Sequence, residues 1–161
     1  MKKILSSQLT LYFNPNYPKI FNKKSTKKNI VTIGIGGNIG DMEKRFDKLL
    51  LALIYDSRFT ILQTSPLLLN PPFGYLEQNY FLNGIIVLKT DLSPKESLRA
   101  FQRYENRFGR IRTFQDAPRT LDIDIIFFNN LKIDTKILTI PHKGYNQRDS
   151  VLIPLGYLKH F

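Results

Sequence analysis

The sequence predicts an α+β fold in which one antiparallel sheet carries helices on one face, with its elements in the order β-α-β-β-α-β. Three observations lead there. Four apolar, β-branched runs have strand character, and two intervening stretches repeat their apolar residues at helical spacing. The chain has 161 residues, a length that suits one core burying roughly 70% of the surface its unfolded form exposes.

The first strand is the run Ile30-Val31-Thr32-Ile33-Gly34-Ile35, which Gly36-Gly37-Asn38 closes into a turn. A helix follows over residues 41–55, because Phe46, Leu49, Leu50, Leu53 and Ile54 recur three and four apart behind Asp41 as N-cap. Residues 59–64 form the second strand. Residues 66–74 carry Pro71-Pro72-Phe73-Gly74 and read as a loop kept out of the sheet interior. Ile85-Ile86-Val87-Leu88 marks a central strand within residues 80–90. Ser93-Pro94-Lys95-Glu96 then opens a second helix, with Ser93 as N-cap, Leu98, Phe101 and Tyr104 or Glu105 as its apolar stripe, and an end near Gly109. The last strand spans residues 120–128, and short pieces complete the chain. This order is the split pattern of ferredoxin-like folds.

Hydrophobic residues make up 42% and charged residues 23%, as in ordinary globular domains. With no cysteine, neither a disulfide framework nor a zinc-thiolate site is possible. No apolar run approaches the roughly 20 residues of a membrane span, and Ser6-Ser7-Gln8 interrupts the lysine-led start before a signal-peptide core develops. A cytoplasmic monomer is the expectation. Seven of the net eleven positive charges are lysines in residues 1–29, which hold no acid. That stretch reads as a basic, poorly ordered extension of a domain covering residues 30–161. The charge therefore marks a solvated arm, and neither nucleic acid nor membrane is expected as a partner.

The most informative stretch is Leu121-Asp122-Ile123-Asp124-Ile125-Ile126. Alternation along a strand puts Asp122 and Asp124 on one face and Leu121, Ile123 and Ile125 on the other. Two carboxylates one pleat apart repel unless a cation joins them, they take up a proton, or they lie on a solvated edge. Hard oxygen ligands suit Mg²⁺, which binds through one or two carboxylates together with phosphate and water. Arg103, Arg107, Arg110, Arg112 and Arg119 crowd the residues just before, and planar guanidinium forks suit phosphate oxygens. An arginine loop running into a D-x-D strand is the equipment of phosphoryl transfer. It is also compatible with cations at a helix end and a solvated loop. Gly34-Ile35-Gly36-Gly37-Asn38-Ile39-Gly40 misses the dinucleotide fingerprint by one position, and no P-loop occurs. Of the two histidines, His142 follows Ile140-Pro141 and His160 lies near the terminus, and spacing assigns neither to acid-base work.

The stretch Ala117-Pro118-Arg119-Thr120-Leu121-Asp122-Ile123-Asp124-Ile125 resembles the signature of the 6-hydroxymethyl-7,8-dihydropterin pyrophosphokinases. The likeness runs through Gly36-Gly37-Asn38, Asn70-Pro71-Pro72-Phe73-Gly74, Phe81-Leu82-Asn83, Gln102-Arg103-Tyr104-Glu105 and Leu138-Thr139-Ile140-Pro141-His142. It implies transfer of diphosphate from ATP to the pterin hydroxymethyl group in folate biosynthesis, with AMP leaving. It further implies that Asp122 and Asp124 hold two Mg²⁺ ions and that Arg110, Arg112 and Arg119 hold the moving group. Gln102, Ile125, Thr139, His142 and Arg148 would surround the nucleotide. Asn70, Pro72, Phe73, Phe81, Asn83 and Asp122 would surround the pterin. Relatives commonly stack the pterin between two rings, but Ser150 stands where the second is usual, leaving Tyr145 or another ring to fill in. Phe114, within Thr113-Phe114-Gln115-Asp116-Ala117, is expected to act as a lid aromatic in place of a tryptophan. An RNA-binding module with a similar sheet, and an inactive pterin- or nucleotide-binding homologue, are the alternatives. The first lacks an RNP1-like run, and its two aspartates would repel a phosphate backbone.

Overall fold

The computed structural model describes residues 1–159, so His160 lies outside the described residues. In chain order the elements are β1 (Lys2–Ile4), β2 (Thr10–Tyr12), β3 (Lys19–Ile20), β4 (Asn29–Gly37), α1 (Met42–Tyr55), β5 (Phe59–Thr64), β6 (Leu67–Asn70), β7 (Phe81–Thr90), α2 (Pro94–Arg107), β8 (Asp122–Phe128), β9 (Ile133–Asp134), β10 (Thr139–Ile140) and α3 (Asp149–Gly156). The fold is α+β, and every strand pairing is antiparallel. β7 lies between β4 and β5, and β8 pairs with β4 at the sheet's edge. Both long helices start as their sequences dictate. Asp41 accepts the Lys44 N–H at 3.1 Å, and Ser93 and Glu96 form a reciprocal capping box ahead of Pro94.

The two faces of the sheet are covered differently. Val31, Ile33 and Ile35 of β4, Ile86 and Leu88 of β7, and Ile123 and Ile125 of β8 pack with Phe46, Leu49 and Phe101 of α1 and α2. Ile85, Val87 and Ile126 turn to the opposite face and meet Val151 of α3. The expectation of helices on one face thus holds for α1 and α2 and fails for α3. That helix has eight residues, an internal Pro154 and no side-chain cap, so it carries no periodic signal. Asp122 and Asp124 stand on this second face, beside Gly34 and Gly36 of β4.

The N-terminal arm is also corrected. Residues 1–29 are not a loose extension: β1 pairs with β2, β2 with β6, and β3 with β5. β6 is itself a strand where a loop was expected, because β2 and β7 supply its partners on either side. Leu11 and Tyr17 are wholly buried, and the Tyr17 hydroxyl donates to the Phe46 carbonyl of α1 at 2.8 Å. Strands of two and three residues leave no readable period, and the β6 and β5 partners of β2 and β3 are distant in sequence. Tyr17→Ala should therefore cost about 3 kcal/mol and lower Tm by roughly 10 °C in a thermal melt. An unchanged Tm would show that the arm does not hold to the core.

Candidate active site

β8 places its residues as alternation requires. Leu121, Ile123 and Ile125 are buried, whereas Asp122 and Asp124 face a cleft floored by Gly34 and Gly36 of β4. Gly36 keeps the floor clear under Asn83: a Cβ there would come within 2.4 Å of Asn83 Oδ1. Phe81, Asn83, Arg119, His142, Arg148 and Ser150 complete the walls.

Asp122 is held by two arginines. Arg110 Nη1 donates to its Oδ1, and Arg119 Nη1 donates to its Oδ2 at 3.1 Å. Desolvation raises the Asp122 carboxyl, but the Arg110 and Arg119 charges outweigh it and hold the group below its usual range. Asp124 has no such partner, since its nearest basic neighbour is His142 Nε2 at 3.8 Å. Desolvation and then the charges of Asp122 and Glu105 raise its carboxyl. Burial and the Arg148 charge push the His142 imidazole down from its usual range, and its Nδ1 has no partner among the described residues.

Glu105, on the buried stripe of α2, was assigned no role by the sequence. Its Oε2 accepts the Ile123 N–H at 2.8 Å and Arg110 Nη1 at 3.2 Å, and its Oε1 lies 3.4 Å from Arg112 Nη2. It thus satisfies the open edge of β8 and fixes Arg110, which in turn reaches Asp122. A carboxylate at an apolar position of a helix was the available signal. The sequence marks Asn38 only as the end of a turn and gives no role to Gly34 and Val151, which line the cleft.

The other expected residues divide. Arg110, Arg119, Asp122, Asp124, His142, Arg148, Phe81 and Asn83 converge on the cleft. Asn83 Nδ2 donates to Asn70 Oδ1 at 2.6 Å, which ties in the β6 end, and Pro72 beside it is buried. Phe73 is 67% exposed, with the Arg148 guanidinium 4.7 Å from its ring centroid. Arg112 is exposed at the rim, and Gln102 is exposed on α2 outside the cleft wall. Thr139 lies on β10, along a separate groove with Ile133, Ile140 and Lys143. Ile125 points into the core, so only its backbone is available to a ligand. Ser150 faces the cleft, but Tyr145 packs edge-on against Phe127, 5.0 Å between centroids, and supplies no second wall. Phe114 is 56% exposed and meets Tyr75 edge-on at 5.2 Å.

Asp122 and Asp124 are the residues that could hold a divalent cation. Two carboxylates share a face, and no group of three or more His, Cys, Asp or Glu side chains that could cage a metal occurs among the described residues.

A model of the family described as 7,8-dihydro-6-hydroxymethylpterin-pyrophosphokinase (HPPK) matches residues 32–160. The chain belongs to this family. It is 43% identical over 131 residues to the 2-amino-4-hydroxy-6-hydroxymethyldihydropteridine pyrophosphokinase of Campylobacter jejuni, covering 81% of this chain and 83% of that one. To the protein of the same name from Helicobacter pylori it is 40% identical over 158 residues, covering 97% and 93%. It is also 38% identical over 132 residues to the folic acid synthesis protein fol1 of Schizosaccharomyces pombe, covering 82% of this chain and 18% of that larger protein.

Proposed function

We propose that the cleft on β8 is where this pyrophosphokinase moves diphosphate from ATP to 6-hydroxymethyl-7,8-dihydropterin in folate biosynthesis. One observation carries the site: an aspartate pinned by two arginines stands one pleat from a second aspartate without a strong counter-charge. Asp122 and Asp124 would hold two Mg²⁺ ions, which neutralise phosphate oxygens when bound. Arg110, Arg112 and Arg119 receive the β- and γ-phosphates. Arg148 and His142 would stand beside the α-phosphate, and the nucleoside would reach beyond the cleft to the Ile125 backbone, Thr139 on β10 and Gln102 on α2. The pterin lies against Phe81, its edge read by the Asn83 amide that Asn70 orients, with Pro72 and Phe73 closing the far side. The pterin hydroxyl oxygen bonds to the β-phosphorus, the bond from that phosphorus to AMP breaks, and the hydroxyl proton is released. Positioning and charge complementarity supply the acceleration.

The order β5-β7-β4-β8, with α1 and α2 on one side, supports reading the core as ferredoxin-like. A cytoplasmic monomer without nucleic-acid partners belongs to the same proposal, and no helix among the described residues is long and apolar enough to cross a membrane. Calorimetric titration with α,β-methylene-ATP tests the site. Binding should require Mg²⁺ and vanish in Asp122→Ala, and undiminished binding by that variant would place the nucleotide elsewhere.

Phe114 is the proposed lid aromatic. Closing over the cleft with Tyr75, it excludes water, so that the pterin hydroxyl attacks in place of solvent. Phe114→Ala should weaken pterin binding more than ATP binding and change stability by less than about 0.5 kcal/mol, as expected of an exposed side chain. Unaltered pterin affinity and rate would remove Phe114 from the mechanism.

A further inference from the structure

We propose that the outer face of α1 and α2 docks a partner protein through an acidic helical segment that carries one apolar anchor. Lys95, Arg99, Arg103 and Arg107 recur at every fourth residue of α2, and all four are exposed. Each four-residue step along a helix advances about 6 Å and turns about 40°, so the row slants around α2 over about 18 Å. Like charges at this spacing weaken a helix, and none of the four is paired with an acid among the described residues. The acids beside the row are already engaged: Glu96 accepts the Ser93 N–H and Asp91 the Lys28 N–H, both at 2.9 Å. The second of these bonds also brings in the N-terminal arm. Together with Asn29 Nδ2, which donates to the Leu92 carbonyl at 3.1 Å, it sets Lys27-Lys28 beside the first turn of α2 and prolongs the basic surface.

At Arg107 the row opens on a groove of about 480 Å³ between the two helices. Leu51, Ala52, Tyr55 and Tyr104 line it, Leu51 being 55% and Tyr55 82% exposed, and the Arg107 guanidinium lies 5.8 Å from the Tyr104 ring centroid. Asp56 shares the wall, where Arg58 Nη2 and the Tyr104 hydroxyl both donate to its Oδ2 at 2.7 Å. This combination selects the occupant. A phosphate strand is charged at every repeat and would set a phosphate against Asp56 and the apolar wall. A lipid surface is flat and leaves a recess between helices unfilled. A second copy of this chain, at net +11, brings like charge to like. A protein helix meets both requirements, with Glu or Asp at every fourth residue against the row and a leucine or aromatic ring in the groove. The cleft lies on the opposite face of the sheet, so docking leaves it open to substrate.

The probe is a labelled synthetic helix of about four turns, with glutamate at every fourth residue and leucines on the adjoining flank. Fluorescence anisotropy should show it binding the full-length protein, and a peptide of the same composition in scrambled order binding about tenfold more weakly or worse. Arg103→Glu should weaken binding about a hundredfold at low salt yet raise Tm by about 2 °C, because two like-charge pairs along α2 become attractive. Movement of affinity and stability in opposite directions separates loss of the surface from loss of the fold. Tyr55→Ala should weaken binding about tenfold, and that loss should persist in salt that screens the basic row. Neither variant should alter the rate of AMP release. The proposal is overturned if either variant binds the peptide as the wild type does, or if the scrambled peptide binds equally. It is also overturned if phosphatidylserine vesicles or a single-stranded oligonucleotide bind this face more tightly than the peptide, since the row would then serve a different partner.

Discussion

Replacing Asp124 by asparagine is expected to abolish turnover and, in the unliganded protein, to raise Tm. The two effects share a cause. Asp124 stands beside Asp122 and near Glu105 without a guanidinium of its own, so its carboxylate is repelled until a cation arrives. Its folded-state pKa is raised, so any stability it contributes is fully present below the unfolded value of about 4 and is lost as pH rises through the folded value. The Tm advantage of Asp124→Asn should therefore widen as pH rises above about 4, and shrink when ATP and magnesium are added to the wild type. Turnover should fall by about a thousandfold or more, equivalent to about 4 kcal/mol of barrier. Asp122→Asn should lose as much turnover without the gain in Tm, because there Arg110 and Arg119 lose their counter-charge. Melts of both variants from pH 5 to pH 8, beside single-turnover rates, check this. An Asp124→Asn protein that stays active, or that is less stable than wild type throughout, would contradict the account.

Glu105→Ala is expected to be the most destabilising single change near the cleft. It leaves the Ile123 N–H of the β8 edge without its acceptor and strips Arg110 of a buried partner. Removing one member of a buried, hydrogen-bonded ion cluster costs about 3 kcal/mol, which urea unfolding would resolve. Activity should fall as well, because Arg110 would no longer be held toward Asp122. Glu105→Gln keeps an acceptor for Ile123 and should retain most of the stability. Equal stability of Glu105→Ala and wild type would show that the carboxylate is not structural.

What the sequence made legible follows the range of each signal. The helices α1 and α2 and the strands β4, β5, β7 and β8 were readable because cap residues and apolar periods lie within the element itself. The arm and β6 were not, since Thr10-Leu11-Tyr12 and Leu67-Leu68-Leu69-Asn70 become strands through pairing with each other and with β1 and β7. In the site, Asp122 and Asp124 were evident from alternation, and Arg110 and Arg119 from proximity in sequence. Glu105 was not, because its importance lies in a contact 18 residues away. Ser150 was visible as a missing ring, but the turn of Tyr145 toward Phe127 depends on a tertiary contact that no local pattern encodes.

The central claim is that the cleft directs attack at the β-phosphorus of ATP, and the products decide it. Phosphorus NMR of the protein with ATP, Mg²⁺ and 6-hydroxymethyl-7,8-dihydropterin should show AMP and a pterin-bound diphosphate accumulating in equal amounts. ADP with a pterin monophosphate, or ADP and inorganic phosphate with the pterin unchanged, would contradict it.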